Sequence, residues 1–176
     1  MADMDLIVVD LETTGLDSVI HRPLEVAAIN VTTGEELYFV PFIDSRDMVN
    51  ADPESLRINR YYERGVFRNM LKSTADNMLH YNHLFTMLRG KRFGGANPRF
   101  DAQMLTTAAN MPESWHYRLA DVCSYTSGAL GLDGSDIRGL HDICASLSVE
   151  QSEAHSALDD ARVTAECFRR AMERRR

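Results

Sequence analysis

Residues 6–16 read LIVVDLETTGL: four apolar residues run into an aspartate, a glutamate follows two positions later, and two threonines and a glycine close in behind. The run LIVVD predicts a buried strand. Carboxylates are costly to desolvate, so a pair at the end of such a strand calls for either water or a cation. If the strand continues through Asp10 and Glu12, its period of two places both side chains on one face at the strand's end. Gly15 then permits a turn that other residues would resist. Taken alone, the pair is read better as an aspartate that caps a turn and a glutamate in solvent, since D-x-E is common by chance.

Working outward, residues 24–42 (LEVAAINVTTGEELYFVPF) predict a hairpin, two strand-like runs around TTGE with glycine supplying the turn. From Asp52 the character changes. DPESLRINRYYER has an aspartate cap followed by proline, and STADNMLHYNHLFTMLRG has helical spacing with a terminal glycine, so two helices are predicted. KRFGGAN predicts a further strand, and PRFDAQMLTTAANM a helix with proline in its first turn. RLADVCSYTSGAL and GLHDICASL read as helical in large part. The last helix is the clearest: in SALDDARVTAECFRRAME, Leu158, Ala161, Ala165, Phe168 and Met172 alternate three and four apart and mark one apolar face. Strands first, then helices with at least one strand between them, predict an α/β sandwich on a mixed sheet. No internal repeat, low-complexity segment or linker interrupts residues 1–176, which read as a single domain.

The bulk properties bound the function. A chain of 176 residues, 44% hydrophobic and 26% charged, is long enough to bury a real core. No apolar run approaches a membrane span, and the first residues carry acids rather than a basic signal region, so a cytoplasmic protein is the default. Cys123, Cys144 and Cys167 form no C-x-x-C pair, which predicts reduced thiols in or near the core rather than a disulfide framework or zinc site. The net charge of -7 argues against a purely electrostatic nucleic-acid binder but not against an enzyme that acts on nucleic acid. Basic residues gather in the final FRRAMERRR, which reads first as a solvated helix end and second as a phosphate contact.

Further acids sharpen the reading. NPRFDAQML sets Asp101 near a helix start, and AHSALDDA sets His155 five residues before Asp160. At roughly 100° per residue, Asp160 lies about 110° from the centre of the last helix's apolar face and Asp159 about 150°. Asp160 therefore flanks the packed face and Asp159 points more towards solvent. His155 belongs at the helix start or the loop before it, with Ser156 as a cap. A Walker-B reading of the first motif fails for want of a G-x-x-x-x-G-K-[ST] loop. A haloacid-dehalogenase-like phosphatase would want D-x-D-x-T, and here the second acid is Glu12.

With VVDLETTGLD, NPRFDAQML and HSALDDA in this order and spacing, the chain resembles the DEDD, or DnaQ-like, 3′→5′ exonucleases. The resemblance is to the branch whose third motif carries histidine (DEDDh), and the chain is similar to proofreading-exonuclease subunits and ribonuclease T. The resemblance runs from Leu6 to about Phe168. It implies a ribonuclease-H-like fold, a mixed five-stranded sheet flanked by α-helices. It implies that Asp10, Glu12, Asp101 and Asp160 hold two divalent metal ions, Mg2+ or Mn2+, with His155 as general base. It also places Thr13 and Leu16 against the terminal nucleotide, the first through backbone or hydroxyl and the second as an apolar wedge, with plain turn packing as the competing reading. Asn97 stands where many relatives carry His-Asn, but Ala96 precedes it here.

The chemistry supports this arrangement independently. Phosphodiester hydrolysis builds negative charge on nonbridging, attacking and leaving oxygens, which two cations about 3.5–4 Å apart can stabilise. Four carboxylates supply the hard oxygen ligands these ions want, and the ions relieve the repulsion among the acids. A histidine, with an ordinary pKa near about 6.5, can accept the water's proton at neutral pH. The expected activity is release of nucleoside 5′-monophosphates from a single-stranded 3′ end of DNA or RNA. A binding-only module on the same fold would be expected to lack one of the acids or the histidine; this chain has all five. The expected partner is single-stranded nucleic acid, with no membrane, and ribonuclease T-like relatives are often dimers, so a homodimer is among the assemblies the resemblance allows. His80 and His83 could share a helix face but lack further ligands. Trp115, Phe100 and the Tyr61–Tyr62 pair read as packing residues before stacking platforms.

Overall fold

The structure, a computed structural model, describes residues 4–133, 135, 137–151 and 155–174. In chain order the elements are β1 (Leu6–Thr13), β2 (Pro23–Asn30), β3 (Glu36–Phe39), α1 (Ser45–Val49), α2 (Pro53–Ile58), a 3-10 turn (Val66–Asn69), α3 (Thr74–Leu88), β4 (Arg92–Gly95), α4 (Pro98–Ala109), β5 (His116–Asp121), α5 (Val122–Ala129), α6 (Leu140–Leu147) and α7 (Ala157–Glu173). The five strands form one sheet in the order β3-β2-β1-β4-β5, antiparallel across β1–β2–β3 and parallel across β1–β4–β5. The mixed sheet is as the strand and helix patterns predict, and its five strands are as the family resemblance implies. Among the described residues no helix is long and apolar enough to cross a membrane.

Strand β1 is central, and its alternation builds both layers. Ile7, Val9 and Leu11 enter a cluster with Phe85, Leu88, Phe93, Met104, Leu105 and Trp115, on the side covered by α3 and α4. Leu6 and Val8 enter the opposite cluster with Ala27, Ile29, Ala161, Ala165 and Phe168, on the side covered by α5, α6 and α7. Phe85, Phe93 and Phe168 are fully buried, each contributing about 2–3 kcal/mol of apolar transfer. The strand does run on through both acids, so Asp10 and Glu12 continue the Leu6–Val8 face towards α7.

The predicted hairpin forms, with Gly34 at φ 76° in the turn, a backbone state that costs glycine little. Asp52 caps α2 as expected, its side chain accepting from Glu54 N with Pro53 in the first turn. Three expectations need correction. First, residues 118–121 are not helical: they form most of β5, and only Val122–Ala129 is helix. This strand lies at the sheet edge and is exposed or half-buried throughout, so it carries no apolar alternation to announce it. Secondly, the turn at Gly15 does resist other residues, but for a steric rather than a backbone reason. A Cβ there would fall on the imidazole of His21, so the residue is small because a ring packs over it. Thirdly, the buried face of α7 is made chiefly of Ala157, Ala161, Val163, Thr164, Ala165, Cys167, Phe168 and Ala171; Leu158 is only half-buried and Met172 is 38% exposed. Small residues let this helix lie close on β1 and β2, which turns the longer side chains aside. The sequence reading also passes over α1, one short turn closed by a capping box between Asp44 and Asp47.

Cys123, Cys144 and Cys167 are free and buried, as expected. Of the basic terminal run, Arg169 donates to Val31 O, and Arg170 donates to Leu147 O and Ser148 O, where it caps α6. Arg175 and Arg176 lie outside the described residues.

Candidate active site

The parallel pairing of β4 with β1 ends at Val8↔Gly94, after which the chain turns at Asn97 (φ 59°) into α4. Three residues beyond that last pair, the Leu11 N–H is met by Asp101 instead: it donates to Oδ1 at 3.1 Å. A buried side chain from the first turn of α4 thus stands in for a strand, and this brings Asp101 beside Asp10.

From the other layer, α7 begins at Ala157 with Ser156 in the capping position, although the Ser156 side chain makes no capping bond. Asp160, 8% exposed, receives the His155 N–H on Oδ2 at 2.8 Å and Gln151 Nε2 on Oδ1 at 2.9 Å. His155 is exposed and holds a left-handed backbone, φ 64°. Glu12, His155 and Asp160 each offer a ligand atom, all within 4.8 Å of one another. Asp159, by contrast, pairs with Arg162. The helical angle thus selects the acid that reaches the cluster.

The electrostatics follow from crowding. Burial, then the charges of Asp101, Glu12, Asp160 and Glu25, raise the Asp10 pKa well above the ordinary carboxylate range. Burial, then Asp160 and Glu25, push Glu12 up to about 8, against the lowering effect of Arg64. Burial likewise pushes Asp101 up to about 8, partly offset by its backbone hydrogen bonds. Acids held this way either carry protons or hold cations. Hard oxygen donors with one imidazole at this spacing fit a divalent ion.

The remaining expected site residues are placed as follows. Thr13 is buried, its hydroxyl donating to Gly15 O at 2.8 Å and its carbonyl accepting from Asn59 Nδ2 at 3.2 Å. Leu16 is 78% exposed just beyond the strand end. Asn97 is exposed, and its N–H donates to Asp121 Oδ2 at 3.3 Å. Among the other histidines, His80 bonds Asp76 O, and it joins no ligand group with His83 among the described residues. Trp115 and Tyr61 are buried, Phe100 packs against the core, and Tyr62 is exposed. A cleft of about 460 Å³ between β5, α5 and α7, lined in part by Leu119, Tyr125 and Phe168, is lined by none of Asp10, Glu12, Asp101 and Asp160.

Sequence reasoning missed the support behind the cluster. Glu25, 1% exposed, lies opposite Glu12 in the β1–β2 ladder and is held by Arg64 and by the hydroxyl of Tyr38. The readable sign was a glutamate inside PLEVAAIN, a strand buried along its full length.

An acidic cluster at the end of a central strand, on a mixed five-stranded sheet with helices on both faces, is an arrangement of the ribonuclease-H-like fold. The chain belongs to the RNase_T family of exonucleases, whose model matches residues 7–168. No curated protein matches the chain in sequence. Among solved structures it is similar to a zinc-bound complex of E. coli exonuclease I with single-stranded DNA: 18% identity, TM-score 0.74, covering 99% of this chain and 41% of that one. It is also similar to E. coli exonuclease I with a dA16 oligonucleotide (19%, TM-score 0.72, 98% and 41%) and to a moderately thermophilic exonuclease I from Methylocaldum szegediense (20%, TM-score 0.68, 98% and 41%). The chain thus spans about two fifths of the length of those exonucleases, and at these identities the likeness carries the fold.

Proposed function

We propose that this chain, as one exonuclease domain, is a metal-dependent 3′→5′ exonuclease that removes nucleoside 5′-monophosphates from single-stranded 3′ ends. The observation that carries the reading is the meeting of Glu12, Asp160 and His155 within ligand distance, beside the crowded pair Asp10 and Asp101. Asp10, Glu12, Asp101 and Asp160 would hold two divalent ions, Mg2+ or Mn2+. When bound, these ions supply charge stabilisation to the attacking, leaving and nonbridging oxygens.

The protein's own groups do the rest. His155, exposed and adjacent to the acids, takes the proton of the attacking water on a ring nitrogen. The water oxygen bonds to phosphorus while the bond to the 3′ oxygen of the preceding nucleotide breaks. Leu16, projecting beyond the strand end, lies against the terminal base, with Thr13 shaping the turn and Asn97 at the start of α4 facing the chain. That the similar exonuclease I structures include complexes with single-stranded DNA and dA16 supports the choice of strand.

The test follows one single-stranded DNA and one matched RNA, each labelled at its 5′ end, with Mg2+ or Mn2+. A ladder shortening from the 3′ end, dependent on metal and lost in Asp101→Asn, is the expected result, and the faster substrate names the class. No cleavage by folded protein of either strand would sink the reading in favour of a binding module.

A further inference from the structure

Behind the acids lies a buried charged group that the chemistry above does not use. The Glu25 carboxylate is gripped at both oxygens by Arg64, Nη1 to Oε1 at 2.6 Å and Nη2 to Oε2 at 2.9 Å, and the Tyr38 hydroxyl donates to Oε2 at 2.7 Å. The two charged side chains are 1% and 12% exposed, so their geometry is fixed by packing rather than by solvent. Arg64 does not stop there: the same Nη1 donates to His155 O at 2.8 Å and to Asn59 O at 3.1 Å. Asn59 in turn donates to Thr13 O at the end of β1.

His155 needs such a hold. A non-glycine residue at φ 64° is strained, and the conformation persists only where its surroundings over-determine it. Among the described residues two bonds flank it: its N–H runs to Asp160 Oδ2, and its carbonyl receives Arg64. One end of the histidine is tied to α7 and the other, through Arg64 and Glu25, to β2. A plain ion pair within the core would need neither the His155 nor the Asn59 carbonyl, and a lysine lacks the planar fork that grips both Glu25 oxygens here.

Resting on the exonuclease reading above, we propose that Arg64, anchored on Glu25, is a positioning residue that fixes the His155 backbone so that its imidazole faces the acid cluster. The charge on Glu25 serves to orient Arg64 and takes no part in holding metal.

Two variants separate positioning from folding. Arg64→Lys keeps a positive charge against Glu25 but loses the fork; the pair Arg64→Met with Glu25→Gln leaves no buried charge unpaired. Both are expected to stay folded and to lower kcat by about 10- to 100-fold while KM and Mn2+ affinity change by less than about threefold. Retention of wild-type kcat in both variants overturns the proposal, as does a loss of kcat that only tracks a loss of Mn2+ binding or of melting temperature. The proposal also has a readout apart from catalysis: the imidazole proton signals of His155, assigned through His155→Ala, should shift or broaden in Arg64→Lys. Unchanged signals overturn it whether or not the wild-type chain cleaves. A wild-type chain that cleaves nothing overturns the exonuclease reading alone.

Discussion

Leu11 and Asp101, ninety positions apart, meet through one hydrogen bond from the backbone N–H of a central strand to the side chain of a helix's first turn. That bond gives Asp101 two tasks at once. It satisfies a buried donor where the neighbouring strand has ended, and it holds the carboxylate close enough to Asp10 for their charges to repel.

The two tasks separate by substitution. In Asp101→Asn an amide oxygen can still accept from Leu11, so melting temperature should stay close to wild type while metal-dependent cleavage falls to background. In Asp101→Ala the buried Leu11 N–H is orphaned, which costs about 1–3 kcal/mol besides the lost activity. Thermal melts of the two variants beside a cleavage assay check this. Equal destabilisation by both would contradict the bond's structural share.

Acid crowding makes the metal-free protein sensitive to pH. Burial pushes Glu12 and Asp101 up to about 8 in the folded chain, above their unfolded values of about 4. The folded state therefore binds more protons than the unfolded state between these values, and stability falls as pH rises through that window. Melting temperature in chelator should drop from pH 5 to pH 8.5. Added Mn2+ should raise it far more at pH 8.5, where the acids are free of protons, than at pH 5. A metal-free protein that gains stability over this range would refute the account of the cluster.

Leu16 is 78% exposed and buries little in the free protein. Leu16→Ala should therefore leave the melting temperature unchanged. A lost apolar contact of about 1 kcal/mol with the terminal base should raise KM for a single-stranded oligonucleotide by about fivefold. Steady-state kinetics against substrate concentration measure this, and an unaltered KM would remove Leu16 from the substrate site.

Gly15 and His21 form a steric pair, because any Cβ on the first meets the ring of the second. Nδ1 of the same ring lies 3.3 Å from Thr14 Oγ1, which accepts from the Arg22 N–H while the Thr14 N–H donates to Arg22 O, so the return from β1 to β2 is closed around this contact. Gly15→Ala should cost about 1–3 kcal/mol and weaken cleavage. Adding His21→Ala should recover part of that loss, a coupling of about 1 kcal/mol in a double-mutant cycle. Strict additivity in chemical denaturation would show that the ring is not the obstacle.

The site was legible to unequal depths. Asp10 and Glu12 could be read because a strand's period of two assigns faces to adjacent residues. Asp160 could be told from Asp159 because helical rotation separates neighbours by a known angle. Asp101 and His155 were visible as an acid near a helix start and a histidine five residues before Asp160, while the roles proposed for them came only with the resemblance. β5 stayed hidden because an exposed edge strand has no apolar face to display, and the face of α7 was misjudged because its close approach to the sheet favours alanine over leucine and methionine. Glu25 was visible as an anomaly in an apolar strand, but nothing adjacent to it names Arg64, thirty-nine positions away, as its partner.

The sequence by itself determined the strand that carries the first two acids, the helix that carries the fourth, the hairpin between them and the thiol state of the cysteines. These are written in the spacing of neighbouring residues, and that spacing acts through short-range geometry alone. Only the tertiary structure decided that Asp101 would replace a missing strand beside Leu11, that Gly15 answers to His21, and that Glu25 reaches His155 through Arg64. Such partners are chosen by the demand that every buried donor, acceptor and charge be satisfied once distant elements pack, a condition that no local stretch of chain can state.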